Sequence, residues 1–410
     1  MSQHGPIIVI SAARNAALSD ALTGTELFPV VDITWSDASD AIERLMPAAI
    51  IVAAPPPDET TLSRLAAQSA ALQPYVPMIV IDPAMQLPIN AIPMSSLETG
   101  PARLGARLRA ALRVRALHVT LLRRLSENAV SRPRIPESDP IMDATVLLIG
   151  RGASYPALSV ALGERVGIVG ALSIEAAARH LNARDVDGIV IGDGFTPRVI
   201  DAFLTVLAED TRFRNLPVIV QSPPTRDYDL PNLEAIVGSA GDVAVNALPL
   251  IRQRAFEQRL ARMLRSIDAG GLLDPRSGLL TSGAFERDLS AAVEQALARG
   301  AGLAVARLTF GEQPPRVRYD TARIVGRLMR RADFATLRDD GTIIAVFPDA
   351  GSRTAGAVAR RLASVIKHTM HGSRRESRID PHVTVEALLP NDTAATLMSR
   401  LDNDAHRAAC

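Results

Sequence analysis

The chain is 410 residues long, 47% hydrophobic and 22% charged, with a formal net charge of +1. That length sets an expectation of two or three domains, and that composition supports buried cores and excludes a disordered tail protein. The near-zero charge gives no overall reason to expect nucleic acid, the one cysteine (Cys410, the last residue) excludes disulfides and thiolate zinc sites, and no apolar run is long enough for a membrane span.

One of the 45 basic residues is a lysine, Lys367, so 44 are arginine. Chemistry that needs a lysine earlier in the chain is therefore excluded. The start, MSQHGPIIVI, has no basic stretch ahead of its apolar run, so no secretory signal is expected and the protein is expected to be cytoplasmic. The seven histidines show no metal-ligand spacing.

Three short apolar runs open the chain: IIVI at 7–10, AAIIVAA at 48–54 and VPMIVID at 76–82, set between helix-like stretches. Continuous β-branched runs of this length suit parallel strands buried on both faces. The series returns as VLLI (146–149), DGIVIGD (187–193) and LPVIVQS (216–222). Ile7 to Val146 and Ile50 to Ile189 are each 139 residues apart, and Pro77 to Pro217 is 140. A near-constant offset at three landmarks predicts two copies of one β/α unit, each of about 120 residues.

Each copy closes on an arginine-rich helical stretch, LGARLRAALRVRALHVTLLRRL (104–125) and LIRQRAFEQRLARMLRSI (250–267), the second stopped by Gly270 and Gly271. These stretches are expected to be solvated helix faces and interdomain connectors, because 3% aromatic content is too sparse for a nucleic-acid surface. Between the copies, SRPRIPESDP (131–140) reads as a Pro-punctuated linker. From residue 272 helical stretches alternate with LAVARLTF, the hairpin-like ATLRDDGTIIAVFP and HVTVEALLP, a pattern that predicts an α+β domain. The expected boundaries are 1–126, a linker at 127–142, 143–268 and 269–410.

Three motifs in this last region carry a resemblance. DPRSGLLTSGAFERDL (274–289) resembles the opening motif of GGDEF (diguanylate cyclase) domains, and SRLDNDAHRAA (399–409) resembles their last helix. Between them, RRADFATLRDDGTIIAVFPDA (330–350) fits the family's signature hairpin without a gap from Asp333 to Pro348. Two receiver-like copies ahead of such a domain resemble PleD-type response regulators. The fold class this implies is α/β: two flavodoxin-like receiver domains, each a parallel sheet with helices on both faces, then an α+β GGDEF-like domain with a mixed sheet.

The departures from the family are chemical. In a working cyclase two glycines let the hairpin backbone approach GTP and an acidic third position binds Mg²⁺. Here the five signature positions are Asp339, Asp340, Gly341, Thr342 and Ile343. If Phe310 ends the family's D-x-D-x-F strand, the remaining metal ligand falls on Ala306, with Leu308 at the second acidic position and Thr281 at the guanine-binding Asn. Losing the metal carboxylates removes the charge stabilisation of phosphoryl-type transfer, so no catalytic residue, metal or cofactor is expected and the chain is not expected to be an enzyme. The receiver positions have changed as well. Ser11 and Ala12 stand at the first copy's acidic pair and Ala53 at its phosphoacceptor; Gly150, Arg151 and Gly192 stand at the second copy's, where Ser222 keeps the Ser/Thr position. Asp193, one residue past the acceptor, is expected to be a loop or capping residue.

What the resemblance retains is an R-x-x-D site for cyclic di-GMP, Arg330 and Asp333, joined by Arg361 with Arg360 beside it. An arginine fork can hold phosphate or a guanine edge, and its flat face stacks on a purine. The resemblance therefore implies a non-catalytic cyclic di-GMP receptor or adaptor that directs cell-cycle regulated proteolysis. Its partners would be proteolysis adaptors of the RcdA type, it would be recruited to a cell pole, and it could homodimerise through its receiver domains. The alternative is a nucleotide-independent scaffold of pseudo-receiver and pseudo-GGDEF domains; a residual cyclase stands third.

Overall fold

A computed structural model describes residues 5–12, 22, 29–83, 85–95, 101–127, 136–330, 332–369 and 379–409. Part of the expected linker, residues 128–135, lies outside these. The chain divides into two compact units: residues 1–167, 171–174 and 186–261 form one, and residues 168–170, 175–185 and 262–410 the other.

The first sheet contains β1 (Ile7–Ile10), β2 (Val30–Ile33), β3 (Ala49–Val52), β4 (Met78–Ile81) and β5 (Ala91–Met94), in the spatial order β2-β1-β3-β4-β5. Every pairing is parallel. α1 (Ala38–Leu45), α2 (Glu59–Ala71) and the long α3 (Pro101–Glu127) accompany it. Ile8, Ile10, Ile50 and Val52 pack one face with Ile42 and Leu62. Ile7, Val9, Ala49 and Ile51 pack the other with Leu104, Leu108 and Ala111. Alternate residues of one apolar run thus fill two cores, which is why the run carries no polar alternation.

The pattern then repeats. β6 (Thr145–Ile149), β7 (Gly167–Ala171), β8 (Gly188–Ile191), β9 (Val218–Val220) and β10 (Leu233–Ala235) form a sheet in the order β10-β9-β8-β6-β7. With strands renumbered within each copy, both sheets have the flavodoxin-like order 2-1-3-4-5. The accompanying helices are α4 (Tyr155–Gly163), α5 (Ile174–Ala183), α6 (Pro197–Glu209) and α7 (Ala240–Asp268). The sequence repeat does not reveal one shared departure. In each copy no helix joins the fourth strand to the fifth among the described residues, although parallel connections usually carry one.

Arg109, Arg123, Arg124 and Arg265 are exposed, but three other arginines of these helices correct the expectation of solvated faces. Arg107 of α3 is wholly buried and Arg115 of α3 and Arg259 of α7 are nearly so. Arg107 donates to the carbonyls of Pro93 (2.6 Å), Pro231 (2.5 Å) and Leu233 (3.1 Å) and to Glu234 Oε1 (2.8 Å). Ser95 holds the other Glu234 oxygen at 3.0 Å. β5 and β10 are edge strands, so this guanidinium caps edge carbonyls that would otherwise invite pairing, and Pro93 is tolerated because it stands on an edge. Burial pushes the Arg107 pKa down and Glu234 pushes it back up. Further along, Leu250 of α7 joins the first copy's core, and Phe256 meets Tyr75 and His118 edge to face, each at 5.4 Å. The two copies therefore dock within one chain through β5–α3 and β10–α7.

The last sheet contains β11 (Leu303–Thr309), β12 (Phe334–Leu337), β13 (Ile343–Pro348) and β14 (His382–Ala387), in the order β12-β13-β11-β14. All three pairings are antiparallel, so the expected mixed sheet is corrected. β11 and β12 do run the same way, but β13 lies between them, and the one parallel contact is an isolated bridge from Leu280 to Thr336. α8 (Ser282–Arg299) and α11 (Ala394–Ala409) cover one face, with Phe285, Leu289, Leu397 and Leu401 against Val305 and Ile344. α9 (Pro315–Leu328) and α10 (Ser352–Thr369) cover the other. In the same unit Arg184, just past α5, pairs with Asp320 of α9 at 3.3 Å, both side chains being buried.

Candidate functional site

α9 ends at Leu328, so Arg330 lies beyond the helix rather than on it. Arg330 N–H donates to Asp333 Oδ2 at 3.1 Å and Asp333 N–H donates to the Arg330 carbonyl at 3.1 Å. The R-x-x-D segment is thus a tight reciprocal turn leading into β12. It leaves the Arg330 side chain exposed. On α10, Ala355, Ala359, Leu362 and Ile366 form the buried stripe, which places Arg360 and Arg361 on the exposed surface. α9 and α10 pack together through the core they share with the sheet. Among the described residues, the guanidinium groups of Arg330, Arg360 and Arg361 make no ion pair, whereas Arg307 and Arg338 both hold Asp402 and Arg400 holds Glu386 and Asp392.

The signature positions form the β12–β13 turn. Arg338 N–H donates to the Thr342 carbonyl (2.8 Å), Gly341 N–H to the Arg338 carbonyl (2.9 Å), and Thr342 N–H to Asp340 Oδ1 (2.8 Å). Gly341 has φ +86°, and a Cβ there would stand 2.6 Å from Cδ of Arg318. The positive φ favours glycine, and any side chain would also make Arg318 move. Arg318 Nη1 donates to the Asp339 carbonyl at 2.8 Å while its Nε is buried without a hydrogen-bond partner among the described residues. A cleft of about 370 Å³ opens here, lined by Asp274, Thr281, Arg318, Tyr319, Arg338 and Asp339 among others. Sequence reasoning missed Arg318, because an arginine on an amphipathic helix carries no mark of the turn it will cross. Ala306 and Leu308 are fully buried in the apolar core, and neither they nor Gly341 has a side-chain ligand for a metal ion. Among the described residues no cluster of three His, Cys, Asp or Glu is placed to hold one.

The receiver-like positions lie at equivalent places in the two parallel sheets. Ala53 N–H donates to the Ile10 carbonyl (2.8 Å) and Gly192 N–H to the Ile149 carbonyl (2.7 Å), each just past its third strand. Ser11 is buried after β1 and Ala12 is exposed beside it. In the second copy Asp193 accepts from the Ser154 N–H (3.2 Å) and hydroxyl (2.5 Å) at the start of α4. Those bonds hold its carboxyl below the usual carboxylate range. The Ser154 hydroxyl oxygen also lies 2.9 Å from the Gln221 side-chain amide. Asp193 is a capping residue, as its register suggests.

No family model matches the chain, and no curated protein does. Several solved structures are similar to part of it. The GGDEF domain of DgcB from Caulobacter crescentus, in complex with c-di-GMP, is 19% identical over 34% of this chain and 90% of that one, with a TM-score of 0.30. The FimX GGDEF domain from Pseudomonas aeruginosa is 19% identical over 34% of this chain and 93% of that one, with a TM-score of 0.31. A diguanylate cyclase protein from Thermotoga maritima is 16% identical over 32% and 98%, with a TM-score of 0.26. No helix among the described residues is long and apolar enough to cross a membrane.

Proposed function

We propose that this chain is a non-catalytic receptor for cyclic di-GMP, built from two degenerate receiver domains and a degenerate GGDEF domain in the PleD-type order. The observation that carries the reading is the pre-formed Arg330–Asp333 turn, whose exposed guanidinium and those of Arg360 and Arg361 make no ion pair among the described residues. Free, charge-assisted donors suit a ligand that brings two phosphates and two guanine edges. The loss of receiver and metal carboxylates at Ala53, Gly192, Ala306 and Gly341 argues against phosphorylation and cyclase chemistry in the same protein. Over the whole chain this pattern resembles the cell-cycle adaptor PopA. On that likeness its partners would be RcdA-type adaptors, and through them ClpXP and the regulator CtrA at a cell pole. The β5–α3 and β10–α7 faces are engaged within the chain, so a homodimer would use other surfaces.

Calorimetric titration with cyclic di-GMP tests the proposal. Wild type should bind, and Arg330→Ala should weaken binding by at least ~2 kcal/mol through loss of a charge-assisted contact. Asp333→Ala should cost a similar amount, and Arg361→Ala less, because Arg360 stands beside it. The exposed Arg330 contributes little to stability, so the melting temperature of Arg330→Ala should stay put. Unchanged affinity in Arg330→Ala would leave the nucleotide-independent scaffold as the better reading.

A further inference from the structure

A second notch lies in the last domain, walled by α8, the turn after it, and the ends of β11, β12 and β13. Its volume is about 280 Å³. Ala292, Ala296, Leu303 and Phe334 supply an apolar floor, and Asp288, Gln295 and Asp349 stand at the rim. Phe334 is held edge to face by Phe285 at 5.8 Å, so its ring is fixed in orientation. Asp288, Gln295 and Asp349 are exposed and engage no other side chain among the described residues. Asp349 has φ +55°, a left-handed conformation that few non-glycine residues adopt and that tends to persist where a position has work to do. Two carboxylates and an amide oxygen, with no side-chain partner among the described residues, therefore rim a pocket with an aromatic wall and apolar floor.

We propose that this notch receives an arginine side chain from a protein partner of a different kind. The apolar floor would take the methylene stem, the Phe334 ring would meet the flat guanidinium, and Asp288 and Asp349 would accept its N–H groups. A lysine ammonium is a poorer fit, being a compact, strongly hydrated point charge without a planar fork. The inference stands apart from cyclic di-GMP binding, whose residues lie on other side chains.

The test is a titration of the full chain, carrying ¹³C-labelled alanine methyl groups, with the peptide acetyl-Gly-Arg-Gly-amide. Saturable shifts of the Ala292 and Ala296 methyl signals are expected, with an affinity near ~1 mM. The lysine peptide should bind at least about fivefold more weakly, and the norleucine peptide should produce no saturable shift. The double substitution Asp288→Asn, Asp349→Asn should abolish the arginine response while the melting temperature and the cyclic di-GMP titration stay as in wild type. Equal responses to arginine and norleucine, an arginine response that survives the double substitution, or no shift up to about 20 mM would each overturn the proposal. So would concentration-dependent self-association that the same double substitution removes, since the occupant would then be a second copy.

Discussion

Glu234 is the residue whose removal should do most damage to the paired sheets. It is 1% exposed, pairs with Arg107 at 2.8 Å and accepts from Ser95 at 3.0 Å. Truncation to alanine leaves the Arg107 guanidinium buried with no counter-charge, which ordinarily costs about 3–5 kcal/mol. Three backbone carbonyls still accept from Arg107, so the lower end, about 3 kcal/mol, is expected. Glu234→Gln keeps an acceptor for Arg107 and loses only the charge, for a cost of about 1–2 kcal/mol. Arg107→Ala should cost as much or more, because it leaves buried Glu234 only Ser95 and the more distant Arg103 (3.6 Å) and takes this donor from the Pro93 and Pro231 carbonyls. Trp35 is the chain's one tryptophan and packs against the first copy's core. Its fluorescence therefore follows unfolding of that copy in urea. At a slope of ~2 kcal/mol per molar urea, Glu234→Ala should lower the midpoint by about 1.5 M. A shift below about 0.3 M would mean that the pair contributes nothing net, and the argument for docking through it would fail.

Gly341→Ala should destabilise the last domain by about 1–2 kcal/mol, from its positive φ and its contact with Arg318, and Arg318→Ala in the same chain should recover part of the loss in thermal melts. His118 is buried, its Nδ1 accepts from the Tyr75 N–H at 3.0 Å, and burial followed by the Arg115 charge lowers its pKa. A lowered folded pKa means that the unfolded chain takes up the proton first. Stability followed by Trp35 should therefore fall as pH drops below the ordinary histidine value of about 6.5, and His118→Gln should flatten that slope. Asp193→Ala should cost about 1 kcal/mol by uncapping α4, and acetyl phosphate should leave wild-type Asp193 unmodified on intact-mass analysis.

The parallel strands were legible in the sequence because each is an uninterrupted apolar run whose spacing recurs at 139 residues. The same offset separates the starts of α3 at Pro101 and α7 at Ala240. β5 and β10 were not legible: AIPM contains a proline and LEA is three residues with a glutamate, which reads as loop until edge placement explains both. Arg107 was misread for a related reason. Composition marks an arginine as solvated, and only a partner 127 residues away, Glu234, makes its burial affordable. In the last domain the hairpin and helices followed from periodicity, and the sheet's antiparallel order did not, because the strand between β11 and β12 is placed by topology. The Arg330–Asp333 turn was found by register against a known motif, while Arg318 and the Phe334 notch depend on contacts between distant segments that no local pattern encodes.

The Arg107–Glu234 contact joins surfaces of two like folds carried on one polypeptide. Between separate molecules such a contact would depend on how many of them were present, and dilution would open it. Here the effective concentration of each half for the other is fixed by their being carried on one polypeptide, not by the amount of protein present. The occupancy of the contact therefore does not depend on expression level, and a molecule that competes for one half must bind it more tightly than the other half does.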